Sequence, residues 1–141
     1  MAADAFIDTN VLVYQVDSRD ARKQAIAERI VRQALVTGNA CISFQVVQEW
    51  LNTVTRKAAV PLGLPQAQAF LDTVLAPLLA VTASVGLYRR ALDLQQRWQF
   101  SFYDALIVAA ALEAGCKRLI SEDLQHGQRV ESLVIDNPFR V

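Results

Sequence analysis

Histidine and cysteine are scarce in this chain, which limits the metal sites that it could build. The 141 residues include one histidine and two cysteines, Cys41 and Cys116. One imidazole and two distant thiols cannot supply the nitrogen and sulfur ligands of a structural zinc site, so we exclude that class of site. Both cysteines lie in apolar surroundings, and we expect them to be buried free thiols in a reducing compartment.

The chain also lacks an excess of charge and a long apolar segment. Fourteen basic residues balance fourteen acidic ones, so no global field attracts nucleic acid, and any such binding must use local patches or a bound metal. No apolar run approaches the roughly 18 residues of a membrane span. The first residues carry neither a basic start nor a long apolar stretch, so we predict no signal peptide, no membrane association and a cytoplasmic location.

The apolar residues form strand and helix patterns that alternate along the chain. Short apolar segments predict strands at 5–7, 40–42, 78–81, 119–120 and 133–135. Helices are predicted at 21–36, 44–58, 66–75, 85–98 (after the cap Ser84) and 102–114. This alternation is typical of a parallel sheet with helices on both faces. The chain has no repeat, linker or low-complexity segment, so we predict a single domain over residues 1–141.

Four acidic residues follow the predicted strands or open the helices behind them: Asp8, Glu49, Asp104 and Asp123. In a parallel sheet such positions meet at the edge formed by the carboxyl ends of the strands, where the sites of open α/β sheets form. Carboxylates crowded into one pocket would repel each other, and a divalent cation would remove that repulsion. Oxygen ligands favour Mg²⁺ or Mn²⁺, which can activate water against a phosphodiester.

Each acid also has a purely structural interpretation. Asp8 could cap the turn that follows it, and Asp104, three residues after Ser101, could belong to a capping box. Glu49 could lie on a solvated helix face, and Asp123 could be a turn residue or a helix cap. The shared placement of the acids favours the functional interpretation.

The acids and their neighbours lie in four segments, Phe6–Tyr14, Ile42–Glu49, Phe102–Ile107 and Ser121–Gly127. In this order and at these separations, the segments resemble the motif regions of PIN-domain ribonucleases, and most of all those of VapC toxins of bacterial toxin–antitoxin pairs. The resemblance implies a three-layer α/β/α sandwich with a central parallel sheet. It implies a metal-dependent endoribonuclease that uses Mg²⁺ or Mn²⁺, forms a homodimer and binds a small antitoxin, which commonly inserts a segment into the acidic groove.

The resemblance assigns the catalytic and metal-binding positions to Asp8, Glu49, Asp104 and Asp123. It assigns the positions that orient water or support the ligands to Thr9, Asn10, Ser43 and Ser121. Asp8 and Asp104 match the surest metal ligands of the family, and the other two acids complete the pocket, in part through water. Glu122 precedes Asp123 directly, so the sequence leaves open which of these two faces the metal, and position favours Asp123.

Two alternatives within this fold stay open: a catalytically inactive PIN-fold binding module and a housekeeping PIN nuclease that is not a toxin. The aspartate-nucleophile phosphatases are disfavoured, because Asn10 stands where they need a second aspartate. The basic residues that could contact RNA phosphates, or could simply lie on solvated helix faces, are Arg19, Arg22, Lys23, Arg56, Lys57, Arg89, Arg90 and Arg97.

Overall fold

A computed structural model describes residues 3–57 and 62–141 of the chain. At its centre lies strand β1, Ala5–Ile7, whose residues are all buried. Two parallel strands flank β1, so that Phe6 lies opposite Cys41 on one side and Leu119 on the other. A strand that is covered on both faces needs apolar residues at every position, and this explains why β1 shows no polar alternation.

The other strands are β2 Ala40–Ser43, β3 Leu79–Val81, β4 Arg118–Ile120, β5 Arg129–Val130 and β6 Leu133–Asp136. Their order in the sheet is β3–β2–β1–β4–β6–β5, and every pair is parallel except β5 with β6. The carboxyl ends of β1, β2 and β4 therefore lie at one edge of the sheet. Asp8, Ser43 and Ser121 stand at these three ends.

The helices connect the strands. Helices α1 Thr9–Gln15 and α2 Ala21–Thr37 follow β1, and α3 Phe44–Asn52 follows β2. A π-helical segment, Thr53–Lys57, continues α3. Farther along, α4 Leu64–Phe70 leads through a second π-helical segment, Leu71–Leu75, into α5 Ala76–Leu78. The last two helices are α6 Val85–Trp98 and α7 Phe102–Glu113.

These helices pack on the sheet and on one another. α1 packs against α2 and α3, and α6 packs against α7. All residues from Ala105 to Ala111 of α7 are buried, as its uniformly apolar sequence predicts. Trp50 of α3 is fully buried and stacks on Phe70, with the ring centroids 4.2 Å apart. The predicted α/β/α sandwich with a central, mostly parallel sheet is confirmed. None of the described helices is both long enough and apolar enough to span a bilayer.

Some elements differ from their sequence-based predictions. The sequence predicts neither the short helix α1 nor β5, whose two residues are too few to show an alternating pattern. The helix predicted at 66–75 begins earlier, with Pro65 in its first turn, and its second half is π-helical. Leu78, which the sequence places in a strand, ends α5. The helix predicted at 44–58 reaches Lys57, and residue 58 lies outside the described residues.

Candidate active site

Asp8 is the most buried acid of the candidate site, with 7% of its surface exposed. Its Oδ1 accepts a hydrogen bond from the backbone N–H of Thr9 at 2.8 Å, so Asp8 does cap α1. Its Oδ2 accepts a hydrogen bond from the Ser121 hydroxyl at 2.7 Å, and the Asn10 side-chain nitrogen lies 3.4 Å from the same oxygen. Capping therefore occupies Oδ1 of Asp8, while Oδ2 accepts the hydrogen bond from Ser121, which follows β4.

The pKa of Asp8 is raised from 3.8 to about 6. Burial is the largest cause of this shift, hydrogen bonds from Ser121 and Thr9 oppose it, and the negative charges of Asp123 and Glu49 add to it. Both charges act on Asp8 because the fold carries them close to it from distant parts of the chain. The structure thus brings three of the four predicted acids together.

The Glu49 side chain extends from α3 towards Asp8. Its Oε1 accepts a hydrogen bond from the Thr9 hydroxyl at 2.6 Å, and its Oε2 accepts one from Gln45 Nε2 at 3.2 Å. Gln45 Nε2 also donates to the backbone carbonyl of Tyr103 at 3.0 Å, so it ties Glu49 to the start of α7. Sequence reasoning gave Gln45 no role, although its position four residues before Glu49 on one helix places the two side chains on the same face.

Asn10 joins Asp123 to Asp8. Its side-chain nitrogen donates to Asp123 Oδ2 at 3.1 Å and lies 3.4 Å from both Asp8 Oδ2 and Ser121 Oγ. Its side-chain oxygen accepts a hydrogen bond from the backbone N–H of Glu122 at 3.1 Å. The backbone N–H of Asp123 in turn donates to Ser121 Oγ at 3.1 Å. Asn10 and Ser121 therefore fix the turn that carries Asp123 against the end of β1.

Glu122 is held differently from its neighbour Asp123. Its Oε1 accepts a hydrogen bond from the Tyr14 hydroxyl at 2.5 Å, and its Oε2 forms an ion pair with Lys23. Burial acts to raise the pKa of Glu122, but the hydrogen bonds from Lys23 and Tyr14 outweigh it and hold this pKa below its usual value. The Glu122 carboxylate is thus engaged by α1 and α2, while the Asp123 carboxylate is hydrogen-bonded to Asn10 beside Asp8.

Asp104 and Ser43 are less closely connected to this group. Asp104 lies half-buried in the first turn of α7, and its backbone N–H donates to Ser101 Oγ at 3.2 Å, which is one half of the capping box. Within the described residues its carboxylate forms no hydrogen bond, and its link to the site is the contact of Gln45 with the Tyr103 carbonyl. Ser43 is fully buried at the start of α3 without capping it, and its hydroxyl finds no partner in the described part of the chain.

A cavity of about 540 Å³ opens beside the acids. Glu49 and Asp123 line it, together with two further acids, Asp17 and Glu122, and one basic residue, Arg19. Arg19 forms a bidentate ion pair with Asp17, in which its Nε and Nη2 lie 2.9 and 2.6 Å from the two carboxylate oxygens. Lys23 likewise pairs with Glu122. The excess negative charge of the cavity therefore comes from Glu49 and Asp123, and this charge attracts cations.

The donor atoms suit a hydrated Mg²⁺ or Mn²⁺. Carboxylate oxygens of Asp8, Glu49 and Asp123 are the ligand type that these ions prefer. The buried Gln45 Oε1 has no hydrogen-bond partner within the described residues, and a metal-bound water could donate to it. No three His, Cys, Asp or Glu residues form a ready-made metal cluster in residues 3–57 and 62–141. Because Mg²⁺ is commonly held by one or two carboxylates and several waters, the residues fit such an ion.

Several of the basic residues proposed for RNA already have protein partners. Arg22 donates to the backbone carbonyl of Phe139 at 2.7 Å, and Arg90 and Arg97 both pair with Glu131. These contacts favour a structural role for the three arginines. The side chain of Lys57 lies outside the described part of the structure.

Comparison with known proteins identifies the fold. The PIN domain family profile matches residues 5–130. A toxin–antitoxin complex from Klebsiella pneumoniae is 18% identical with a TM-score of 0.65, and the match covers 97% of this chain and 99% of that chain. VapC20 of Mycobacterium tuberculosis, described as a toxin that cleaves the sarcin–ricin loop, is 21% identical with a TM-score of 0.62 and coverages of 84% and 91%. DNA-bound VapBC from Salmonella typhimurium is 16% identical with a TM-score of 0.67 and coverages of 96% and 98%.

At these identities the solved structures establish the shared fold, and the structural neighbours are VapC toxins of VapBC toxin–antitoxin systems. No curated protein matches the sequence. PIN domains are typically nucleases and generally use divalent metal ions. Since the family profile matches residues 5–130 and the acids lie at the carboxyl edge of a parallel sheet, the chain belongs to the PIN-domain family.

Proposed function

We propose that this protein is a metal-dependent endoribonuclease and the toxin of a toxin–antitoxin pair. The proposed metal-binding and catalytic acids are Asp8, Glu49, Asp104 and Asp123. The proposed residues that orient them, or orient water, are Thr9, Asn10, Ser43 and Ser121. We also propose that residues 1–141 act as one domain in the cytoplasm, where RNA substrates are abundant.

The observation that carries this proposal is the environment of Asp8. A buried carboxylate is costly, and the pKa of Asp8 is raised first by burial and further by the negative charges of Asp123 and Glu49. A protein retains such an arrangement at a cost in stability, and a bound cation would offset that cost. A buried carboxylate with a raised pKa beside an acid-lined cavity is typical of catalytic sites.

The chain's own residues hold the acids in fixed orientations. The Thr9 backbone and Ser121 hydroxyl orient the carboxylate of Asp8, and the Thr9 hydroxyl orients that of Glu49. Asn10 does the same for Asp123. When bound, Mg²⁺ or Mn²⁺ would supply an activated water and stabilise charge on the leaving oxygen of the RNA phosphodiester. Preorganised ligands keep this geometry without a reorganisation cost during the reaction.

The acidic cavity also supports the proposed antitoxin partner. Glu49 and Asp123 give it an excess of negative charge, so a basic segment of a partner protein would be attracted to it and would exclude both metal and RNA. The Klebsiella pneumoniae neighbour is itself a toxin–antitoxin complex. We further propose a homodimer, since 53% of the residues are hydrophobic and large apolar side chains such as Val85 and Leu92 are exposed.

The test is cleavage of a mixed pool of tRNA and ribosomal RNA. Wild type, Asp8→Asn and Asp93→Asn are compared with Mg²⁺, with Mn²⁺ and with EDTA. Asp93→Asn makes the same chemical change at an exposed acid of α6 that pairs with Arg97, so it is the matched control. We expect discrete products from wild type and the control in the presence of metal, and none from Asp8→Asn or with EDTA.

Other outcomes would replace the proposal. Cleavage that survives both EDTA and Asp8→Asn would indicate a contaminant or a different mechanism. Metal binding without cleavage of any RNA, by folded protein free of partner, would favour the inactive binding module. Cleavage without growth arrest when the protein is expressed in cells would favour a housekeeping PIN nuclease.

A further inference from the structure

We propose that Cys41 and Cys116 form a reversible intramolecular disulfide when the protein meets a hydroperoxide. The two Sγ atoms lie 3.7 Å apart, although the residues are 75 positions apart in the sequence. Both side chains are buried, with exposed fractions of 4% and 2%. They are the two cysteines of the chain, so oxidation within one molecule can join only this pair.

The fold holds both cysteines on well-anchored backbone. Cys41 lies in β2, beside the central strand β1, where it pairs with Phe6. Cys116 follows α7, and its backbone N–H donates to the Ala111 carbonyl at 3.1 Å. The next residue, Lys117, donates to the Asp4 carbonyl at 2.8 Å. Hydrogen bonds hold both segments in place, so the folded core keeps the two thiols close together.

A second cavity gives small molecules a route to this pair. Its volume is about 420 Å³, and Cys41 lines it. Leu35 and Leu79, each 39% exposed, and the exposed Gly38 also line it, so the cavity opens to solvent. None of the proposed catalytic acids lines this cavity. A molecule the size of hydrogen peroxide can therefore approach Cys41 without entering the acidic groove.

The chemistry needs only the two thiols and the peroxide. The Cys41 thiolate attacks one peroxide oxygen, the O–O bond breaks, and the released hydroxide takes up a proton to become water. The Cys116 sulfur then displaces the hydroxyl from the Cys41 sulfenic acid, loses its proton, and a second water leaves as the S–S bond forms. The two thiols lose two electrons and two protons, and the peroxide is reduced to two waters.

The electrostatics of the pair agree with Cys41 as the residue that reacts first. The hydrogen bond that joins the two thiols lowers the pKa of Cys41, although burial opposes this effect. The same hydrogen bond, together with burial, raises the pKa of Cys116. Cys41 is therefore both the thiol with the lowered pKa and the thiol that lines the cavity.

The disulfide would join β2 to the segment between α7 and β4 and would close a long loop. Closing a long loop restricts the unfolded chain, so the oxidised protein should resist denaturation better than the reduced protein. We expect RNA cleavage to persist, because none of the four proposed acids lines the cavity beside Cys41, and two of them, Glu49 and Asp123, line the other cavity. This inference does not depend on the proposed nuclease activity.

The experiment treats the reduced full-length protein with hydrogen peroxide, removes the oxidant, and alkylates the denatured chain with N-ethylmaleimide. The expected product is two hydrogens lighter than the reduced chain, carries no alkyl group, yields a Cys41–Cys116 cross-linked peptide and is reversed by dithiothreitol. Cys116→Ala should accumulate a Cys41 sulfenic acid that dimedone captures, while Cys41→Ala should give no dimedone adduct. The urea midpoint should rise on oxidation of wild type and stay unchanged in the Cys41→Ala/Cys116→Ala double variant.

Three results would each overturn the proposal. The first is oxidised protein in which both thiols still react with N-ethylmaleimide. The second is a disulfide that joins two chains rather than one. The third is oxidation to sulfinic acid without any cross-linked peptide. Because the mass measurement is made on wild type, a variant that fails to fold does not affect these outcomes.

Discussion

The Tyr14 hydroxyl donates a hydrogen bond to Glu122 Oε1 at 2.5 Å, while Lys23 pairs with Oε2 of the same carboxylate. These contacts attach the turn after β4 to α1 and α2. The backbone N–H of Glu122 also donates to Asn10, whose side chain holds the carboxylate of Asp123. The two adjacent acids therefore have separate roles in the geometry: Glu122 anchors the turn, and Asp123 lies beside Asp8.

Tyr14→Phe removes the hydroxyl that anchors Glu122 and leaves the ring in place. We expect kcat for RNA cleavage to fall about threefold to tenfold, with KM nearly unchanged, because the turn that carries Asp123 becomes less well positioned. The free energy of unfolding should fall by about 1 kcal/mol, the usual net value of such a hydrogen bond. The measurements are steady-state cleavage kinetics and urea denaturation.

Tyr88 and Glu122 supply the controls for Tyr14→Phe. Tyr88→Phe makes the same change at an exposed tyrosine of α6 and should leave both quantities unchanged. In a Glu122→Gln background, Tyr14→Phe should cost less than it does in wild type, because the two residues act through one contact. Strictly additive effects would show that Tyr14 does not act through Glu122.

Asn10→Ala removes the side chain that connects Asp123, Glu122 and Asp8. We expect cleavage to fall about 10- to 100-fold, the loss that is typical when a group that orients metal ligands is removed. The affinity for Mn²⁺, measured by isothermal titration calorimetry, should fall in parallel. Asn52→Ala is the matched control, because Asn52 lines the same cavity on an exposed side chain. Equal losses in the two variants would show that the amide of Asn10 has no special role.

The extent to which the site could be predicted differs from residue to residue. The position of Asp8 at the carboxyl end of a buried strand was predictable from the apolar residues that precede it, and the structure places it as the most buried acid of the group and also as the cap of α1. The parallel direction of β1, β2 and β4 was predictable from the alternation of strand and helix patterns along the chain, whereas their order in the sheet was not predicted.

Other features depend on tertiary contacts that local sequence does not encode. The anchoring of Glu122 by Tyr14 and Lys23 joins residues 108 and 99 positions apart, so sequence left the choice between Glu122 and Asp123 open. The 3.7 Å approach of Cys41 to Cys116 likewise needs the finished sheet. The strand β5 is stabilised by its pairing with β6. Its two residues are too few to show a periodic pattern, so the sequence does not predict it.

Asp8→Asn should stabilise the metal-free protein in a pH-dependent way. The folded-state pKa of Asp8 is raised from 3.8 to about 6, so its favourable contribution is present below pH 3.8 and is lost as pH rises through 6. At pH 8 wild type therefore carries a buried charge that the asparagine variant lacks. Relative to its effect at pH 4, the substitution should raise the free energy of unfolding at pH 8 by about 1–3 kcal/mol.

The measurement is urea denaturation in EDTA at pH 4, 6 and 8. Asp93→Asn, at an exposed acid of α6, should shift stability by less than about 0.5 kcal/mol at each pH. Saturating Mn²⁺ should reverse the order of stability at pH 8, because the cation binds the wild-type carboxylate and not the amide. An Asp8→Asn profile that parallels the Asp93→Asn profile would contradict the crowded acidic site.

Variants of Ser101 and Asp104 can distinguish a capping role of the α7 start from a catalytic role of the Asp104 carboxylate. Ser101 Oγ accepts a hydrogen bond from the Asp104 backbone N–H, and this contact does not involve the Asp104 carboxylate. Ser101→Ala should therefore cost about 1 kcal/mol of stability, the usual value of a helix cap, and leave cleavage nearly intact. Asp104→Asn keeps the backbone N–H and the cap, so we expect it to leave stability within about 0.5 kcal/mol and to lower cleavage at least 100-fold. The readouts are thermal denaturation and metal-dependent cleavage of the same RNA pool. If Asp104→Asn cleaves at the wild-type rate, Asp104 only starts α7, and the working site consists of Asp8, Glu49 and Asp123, the three acids that the fold already brings together.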